Sequence, residues 1–97
     1  MIYHVTTKEM IDAAAESGLY EAPSLHTEGF IHACAADQVQ GVLERYYPDK
    51  TDLFLLHIDE ALITSMLKYE LAPSVNEMFP HIFGAINADA VVRIEEL

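Results

Sequence analysis

Five histidines stand in a chain of 97 residues that has only five lysines and arginines together. Their placement is what points to chemistry. His4 lies in Ile2-Tyr3-His4-Val5-Thr6, His32 in Phe30-Ile31-His32-Ala33-Cys34, and His81 in Phe79-Pro80-His81-Ile82-Phe83-Gly84. Each ring sits among large apolar residues, where an imidazole without a hydrogen bond is costly. Imidazole titrates near neutral pH and serves as acid, base or ligand, so the three together mark a candidate site. For any one of them alone, a hydrogen-bonded histidine at a strand edge is the plainer reading. His57, followed by Ile58-Asp59, reads as a strand end with a local partner, and His26 in a polar stretch carries no signal.

Other groups that could do chemistry are weaker. Three imidazoles with an open position suit zinc, but no H-x-H or H-x-x-x-H pair is present, and no metal ligands are assigned. Cys34 with His32 or His4 has the makings of a thiol–imidazole nucleophile. A single thiol in an apolar strand is more often a small buried hydrophobe. Gly18, Gly29, Gly41 and Gly84 are isolated, so no glycine-rich phosphate loop exists.

The elements that must position these residues follow from pattern. The β-branched and aromatic start, Ile2 to Thr6, predicts a strand with Ile2, His4 and Thr6 on one face. Thr6 and Glu9 have capping-box spacing ahead of an alanine-rich helix that turns Met10, Ile11, Ala14 and Ala15 inward and ends at Gly18. Residues 19–29 read as a polar loop, and Phe30 to Cys34 as a strand with Phe30, His32 and Cys34 on one face. A second helix begins near Asp37, with Gln40 as its box partner. Val39, Val42, Leu43 and Tyr46 form its stripe, and Pro48 stops it. Leu53 to Ile58 predicts a central strand buried on both faces. Beyond it the pattern gives a short helix over 60–67, a short strand over 68–71, a loop over 73–80 and a closing strand over 90–94. Pro80 and the anchors Phe79, Ile82 and Phe83 would hold His81 on a firm loop, with Gly84 as its exit. His4 and His32 are expected to project to one side of one sheet. The fold class is α+β: a small mixed or split β-sheet with two main helices packed on it.

Composition bounds the rest. A chain of 10.9 kDa with 52% apolar residues is expected to fold as one domain, 1–97. Sixteen acidic residues against five basic ones give a net charge of −11, spread evenly along the chain. That field repels phosphate backbones and anionic membrane surfaces. The single cysteine excludes an internal disulfide. No run reaches the about 18 apolar residues of a membrane helix. The start, Met1-Ile2-Tyr3-His4, lacks the basic and apolar regions of a signal peptide, so a cytoplasmic location is expected.

The motifs Ile2-Tyr3-His4-Val5-Thr6, Pro23-Ser24-Leu25, Glu28-Gly29-Phe30-Ile31-His32, Leu55-Leu56 with Ile58-Asp59, Phe79-Pro80-His81-Ile82-Phe83-Gly84 and Asp89-Ala90-Val91-Val92 come in a distinctive order. In that order they resemble the small bacterial family catalogued as domain of unknown function 952. That family is similar at long range to the ADP-ribosyltransferase-like fold, whose members hold NAD in the cleft of a split sheet. The resemblance implies His4 as the first-strand residue that contacts a ribose. It implies Ser24 or His32 as the residue lining the nicotinamide pocket, and Glu70 or Glu95 as the late acid, with Glu70 preferred. Cys34 stands where serine is common in the family, and Tyr69 where tryptophan is common. A thiol in place of that hydroxyl is the poorer hydrogen-bond donor.

The reading is a His-lined pocket for a small molecule, a nucleotide or NAD-like compound. His4, His32 and Glu70 are its catalytic candidates, and Ser24, Cys34, His81 and Phe83 its ligand-binding ones. Transferase activity of the ADP-ribosyl type is the implied chemistry, and NAD the implied cofactor. The rivals are an acidic protein-interaction module without catalysis and a three-histidine metal-dependent hydrolase. One expectation is direct. The protein should not retain DNA or RNA at physiological salt, and a gel shift that weakens steeply as salt rises would contradict it.

Overall fold

A computed structural model describes residues 1–97. β1 (Ile2–Thr7) pairs antiparallel with β4 (Leu53–Ile58), and β4 pairs antiparallel with β8 (Val91–Glu96). β4, the most apolar run, is thus the centre of this sheet, as its composition predicts. A second sheet has the order β3 (Ile31–His32), β6 (Glu77–Phe83), β5 (Met66–Ala72). β2 (Leu19–Tyr20) and β7 (Ile86–Asn87) make a two-stranded ribbon. Every pairing is antiparallel, so of the two sheet types expected, the split one is found and the mixed one is not.

Three α-helices complete the α+β fold: α1 (Lys8–Ser17), the short α2 (Pro23–Thr27) and α3 (Val39–Tyr46), the last preceded by a 3₁₀ turn, Ala36–Gln38. The cap of α1 is Thr7, whose hydroxyl accepts from the Met10 amide, one residue later than the expected Thr6. Thr6 is still strand, and its hydroxyl is used elsewhere. Gly18 ends α1 at φ 80°, with its N–H on the Ala14 carbonyl, as a left-handed terminator should. At α3, Gln38 rather than Gln40 takes the boxing role, its Oε1 accepting from Ala35 N at 2.8 Å.

Two cores divide the molecule. Ile2, Tyr20, Ile31, Leu56, Ile58 and Ile82 belong to the larger one, against which Met10, Ile11 and Ala14 of α1 pack. Val5, Leu53 and Leu55 form the smaller, covered by Val39, Val42 and Leu43 of α3. The alternation of β1 therefore feeds both, Ile2 to one side and Val5 to the other. This is the face division expected from the strand's period.

Several expectations give way. The stretch 19–29 is not plain loop; it contains β2 and α2, with Pro23 at the start of the helix, where a missing N–H costs nothing. Residues 60–67 hold a 3₁₀ turn, Glu60–Leu62, and then the start of β5 instead of a helix. The expected loop over 73–80 is a turn at 73–76 followed by the first half of β6, so His81 stands on a strand and not on a loop. Proline inside a central strand is unusual because it cannot donate to the ladder. Here the Pro80 carbonyl accepts from Ala33 N at 3.1 Å, and the missing N–H falls beside it, just past the end of two-residue β3.

His4 and His32 also lie on different sheets, against the expectation of one. What joins them is a single antiparallel bridge, Tyr3 with Cys34, in which each amide reaches the other's carbonyl at 2.8 Å. Ile82, fully buried in the larger core, couples β6 to it. Ile82→Ala should lower unfolding stability by about 2–5 kcal/mol, read from urea denaturation at constant slope.

Candidate functional site

His4 is 8% exposed, and both its ring nitrogens are satisfied by protein. Nδ1 lies 2.5 Å from the His32 carbonyl, which can only accept, so Nδ1 carries the proton. Nε2 is then an acceptor, and Tyr20 donates its O–H to it at 2.8 Å. The Tyr20 oxygen in turn accepts from the Thr6 hydroxyl at 2.6 Å. A directional chain results, from Thr6 through Tyr20 and His4 to the backbone of β3. Burial pushes the His4 pKa down to about 4 and the Tyr20 pKa up to about 12, so both are neutral across the physiological range.

This chain forms one wall of a cleft of about 790 Å³ where β1, β3, β6, α2 and α3 meet. Of the residues singled out from sequence, His4, Ser24, His32, Cys34 and His81 line it. The lining does not include Glu70 or Phe83: Glu70 adjoins it through His81, and Phe83 is reached only through Phe30, which stacks on His81. Glu70 Oε1 accepts from His81 Nδ1 at 2.8 Å, and the Phe83 ring lies 5.3 Å from that of Phe30. Glu95, the other acid in view, pairs with His57 Nε2 at 2.8 Å on the β4–β8 ladder and has no part in the cleft.

Cross-strand register explains the second wall. His32 stands opposite His81, and His81 opposite Lys68, so these side chains share one face of the β3–β6–β5 sheet while Ile31, Ile82 and Leu67 share the other. His81 stacks on Phe30 with ring centres 4.1 Å apart, and the edge of His32 approaches His81 at 5.3 Å. His32 Nε2 meets the Glu28 carboxylate at 3.2 Å, four residues back along the chain at the end of α2. Ser24 Oγ donates to the Phe30 carbonyl at 2.8 Å, which ties α2 to the segment carrying that ring.

These contacts sort the groups by chemistry. With Nδ1–H donated to Glu70, a neutral His81 ring leaves Nε2 as an acceptor, the arrangement an oriented general base needs. Cys34 is buried, and burial with the nearby Asp37 carboxylate pushes its thiol up to about 11, so it is no thiolate nucleophile. No three His, Cys, Asp or Glu side chains converge in a way that could hold a metal ion. Sequence reasoning missed Tyr20, hidden in a stretch read as loop. It named Phe30 only as a neighbour of His32, although Phe-x-His alternation already put both on one face. A second hollow of about 160 Å³ between α1 and β8 is lined only by apolar side chains.

Fold and cleft together define a small α+β domain of split antiparallel sheets with a histidine-lined cavity between them. Over residues 5–94 the chain matches the family described as protein of unknown function, DUF952, and it belongs to that family. It is similar to the crystal structure of protein CC0527 from Caulobacter crescentus, with a TM-score of 0.89 and 27% identity, covering 99% of this chain and 84% of that one. A double mutant of CC0527 in crystals and the same protein in solution by NMR give TM-scores of 0.88 and 0.83, again at 27% identity, over 99% of this chain and 84% and 83% of theirs. No curated protein matches the sequence.

The buried His4 carries a pH dependence whose sign is fixed. Its folded pKa lies below the unfolded value, so the folded state resists the proton that the unfolded chain accepts. His4 therefore costs no stability above the unfolded value of 6.5, and acidification from there to about 4 should remove about 3 kcal/mol. Urea midpoints should fall through that window. The His4 ring proton should titrate near its low end by NMR, and a midpoint close to 6.5 would show the chain to be open.

Proposed function

We propose that this protein binds a small heterocyclic compound, nucleoside-like or NAD-like, in the cleft between its sheets. The observation that carries the reading is convergence. Three histidines from β1, β3 and β6 line one cavity whose size, about 790 Å³, lies within the range of small-molecule sites. Rigid placement supports it further: His4 is locked by its hydrogen-bond chain, and His81 by Glu70 and the Phe30 ring. A surface that only docks another protein would be shallower, and that favours a ligand over the interaction module.

The resemblance to ADP-ribosyltransferase-like proteins makes NAD the dinucleotide to consider, and a split sheet with His4 on its first strand agrees in outline. In this reading His4 and Ser24 shape the walls, and Cys34 contributes bulk. His32 and His81 contact the ligand, with Phe30 and Phe83 as the aromatic floor beneath His81. A catalytic form of the same reading is favoured by one contact, the 2.8 Å bond from His81 to Glu70. Glu70 then acts through His81, holding its tautomer and supporting the positive charge that the ring gains on accepting a proton.

A thermal-shift screen against nicotinamide, nucleosides, nucleotides and dinucleotides tests this directly. A ligand at 100 times its dissociation constant stabilises the folded state by about 2.7 kcal/mol, a clear shift for so small a domain. His81→Ala should stay folded and lose at least tenfold in affinity for the compound that shifts the parent. If the variant binds as well as the parent, His81 is not in the site, and if no compound shifts the parent, the ligand reading fails.

A further inference from the structure

The cleft is lined by 20 residues, and none of them is a lysine or arginine. All five fixed cations lie outside it. Lys8 is held by Asp12 at 3.0 Å, and Lys68 sits over the Phe83 ring at 5.6 Å. Arg45, which neighbours a lining residue, is turned onto the Tyr46 ring at 5.7 Å, and Lys50 and Arg93 also lie outside the lining. The lining does hold one carboxylate, Glu28, and the aromatic side chains Tyr3, Tyr46, Tyr47 and Phe79. The chain around it carries −11.

Phosphate binding asks for the opposite: a guanidinium or ammonium group, or a cradle of free backbone amides. Here a phosphate would enter a negative field next to a carboxylate, with His4 held neutral by burial and unable to compensate. Aromatic faces and a carboxylate suit a flat neutral ring or a ring bearing positive charge, since the face of a tyrosine or phenylalanine attracts cations and stacks with heterocycles. Resting on the ligand-binding reading above, we infer that the cleft sorts its ligands by charge. It takes unphosphorylated heterocycles, neutral or cationic, such as a nucleoside or a pyridinium riboside, and turns away their phosphorylated forms. If a dinucleotide binds at all, its pyridinium end enters and its phosphates stay in solvent.

Matched pairs test this by calorimetry on the full chain: adenosine against adenosine monophosphate, and nicotinamide riboside against nicotinamide mononucleotide. In each pair the phosphorylated member should bind at least tenfold more weakly. The gap should narrow as salt rises and the field is screened. Glu28→Gln should weaken the cationic riboside about threefold to tenfold more than it weakens adenosine, the scale of a partly exposed charge contact. Equal or tighter binding of the phosphorylated members would overturn the inference while the ligand reading stands. Failure of all four compounds to bind would overturn both. A riboside affinity that falls no further than that of adenosine in Glu28→Gln would overturn the preference for cations.

Discussion

The hydrogen bond from His4 Nδ1 to the His32 carbonyl is the contact on which the site depends, because it crosses the gap between two sheets that share no ladder. Only the Tyr3–Cys34 bridge lies beside it. A buried imidazole cannot remain unpaired without a large desolvation cost, so β3 must come to β1 for His4 to be buried at all. Tyr20 is drawn in for the same reason, since Nε2 needs a donor and Tyr20 O–H supplies it. Thr6 completes the chain, and with that the position of β2 relative to β1 is set. One polar group on an apolar strand thus specifies where two other elements, β3 and β2, sit.

The cleft is what remains when this constraint is met. The sheets meet at the His4–His32 contact and the Tyr3–Cys34 bridge, and α2 and α3 contribute further residues to the lining. The two walls have different characters. On the β1 side the polar atoms are consumed by one another and present a fixed, neutral surface. On the β3–β6 side His32 and His81 are each bound by a glutamate through one nitrogen. The first wall is closed on itself, and the second leaves one ring nitrogen of each histidine outside its glutamate contact.

Much of this was legible in the residues, and the gaps have physical causes. The outer strands β1 and β8, the central β4 and the helices α1 and α3 announce themselves by period and composition, because each has one consistent neighbour environment. The histidines at positions 4, 32 and 81 stand out because polar groups in apolar strands are costly. β6 was hidden by Pro80, which ordinarily marks an end; the brevity of β3, which excuses the missing donor, is a tertiary fact. α2 has five residues, too few for a periodic signal. Tyr20 was unreadable because its value lies in meeting His4 and Thr6, a long way off in the chain. Local pattern does not report such meetings, and sheet partnership is of the same kind.

Past the exposed Glu77 and Met78, β6 leaves nothing idle. Phe79, His81 and Phe83 turn to the cleft side, while Pro80 and Ile82 are buried on the other. From Phe79 onward the strand therefore has no face on which substitutions can accumulate unseen: a change at one position alters the cavity side, and a change at the next alters the core. α1 is the contrast, a helix with no fully buried residue, whose outer face is free to vary. In a domain so small the cavity and the core are written on alternate letters of one strand. Substitutions that reshape the cavity and spare the core are therefore left to the rim, α2 and α3, because the floor shares its strand with the core.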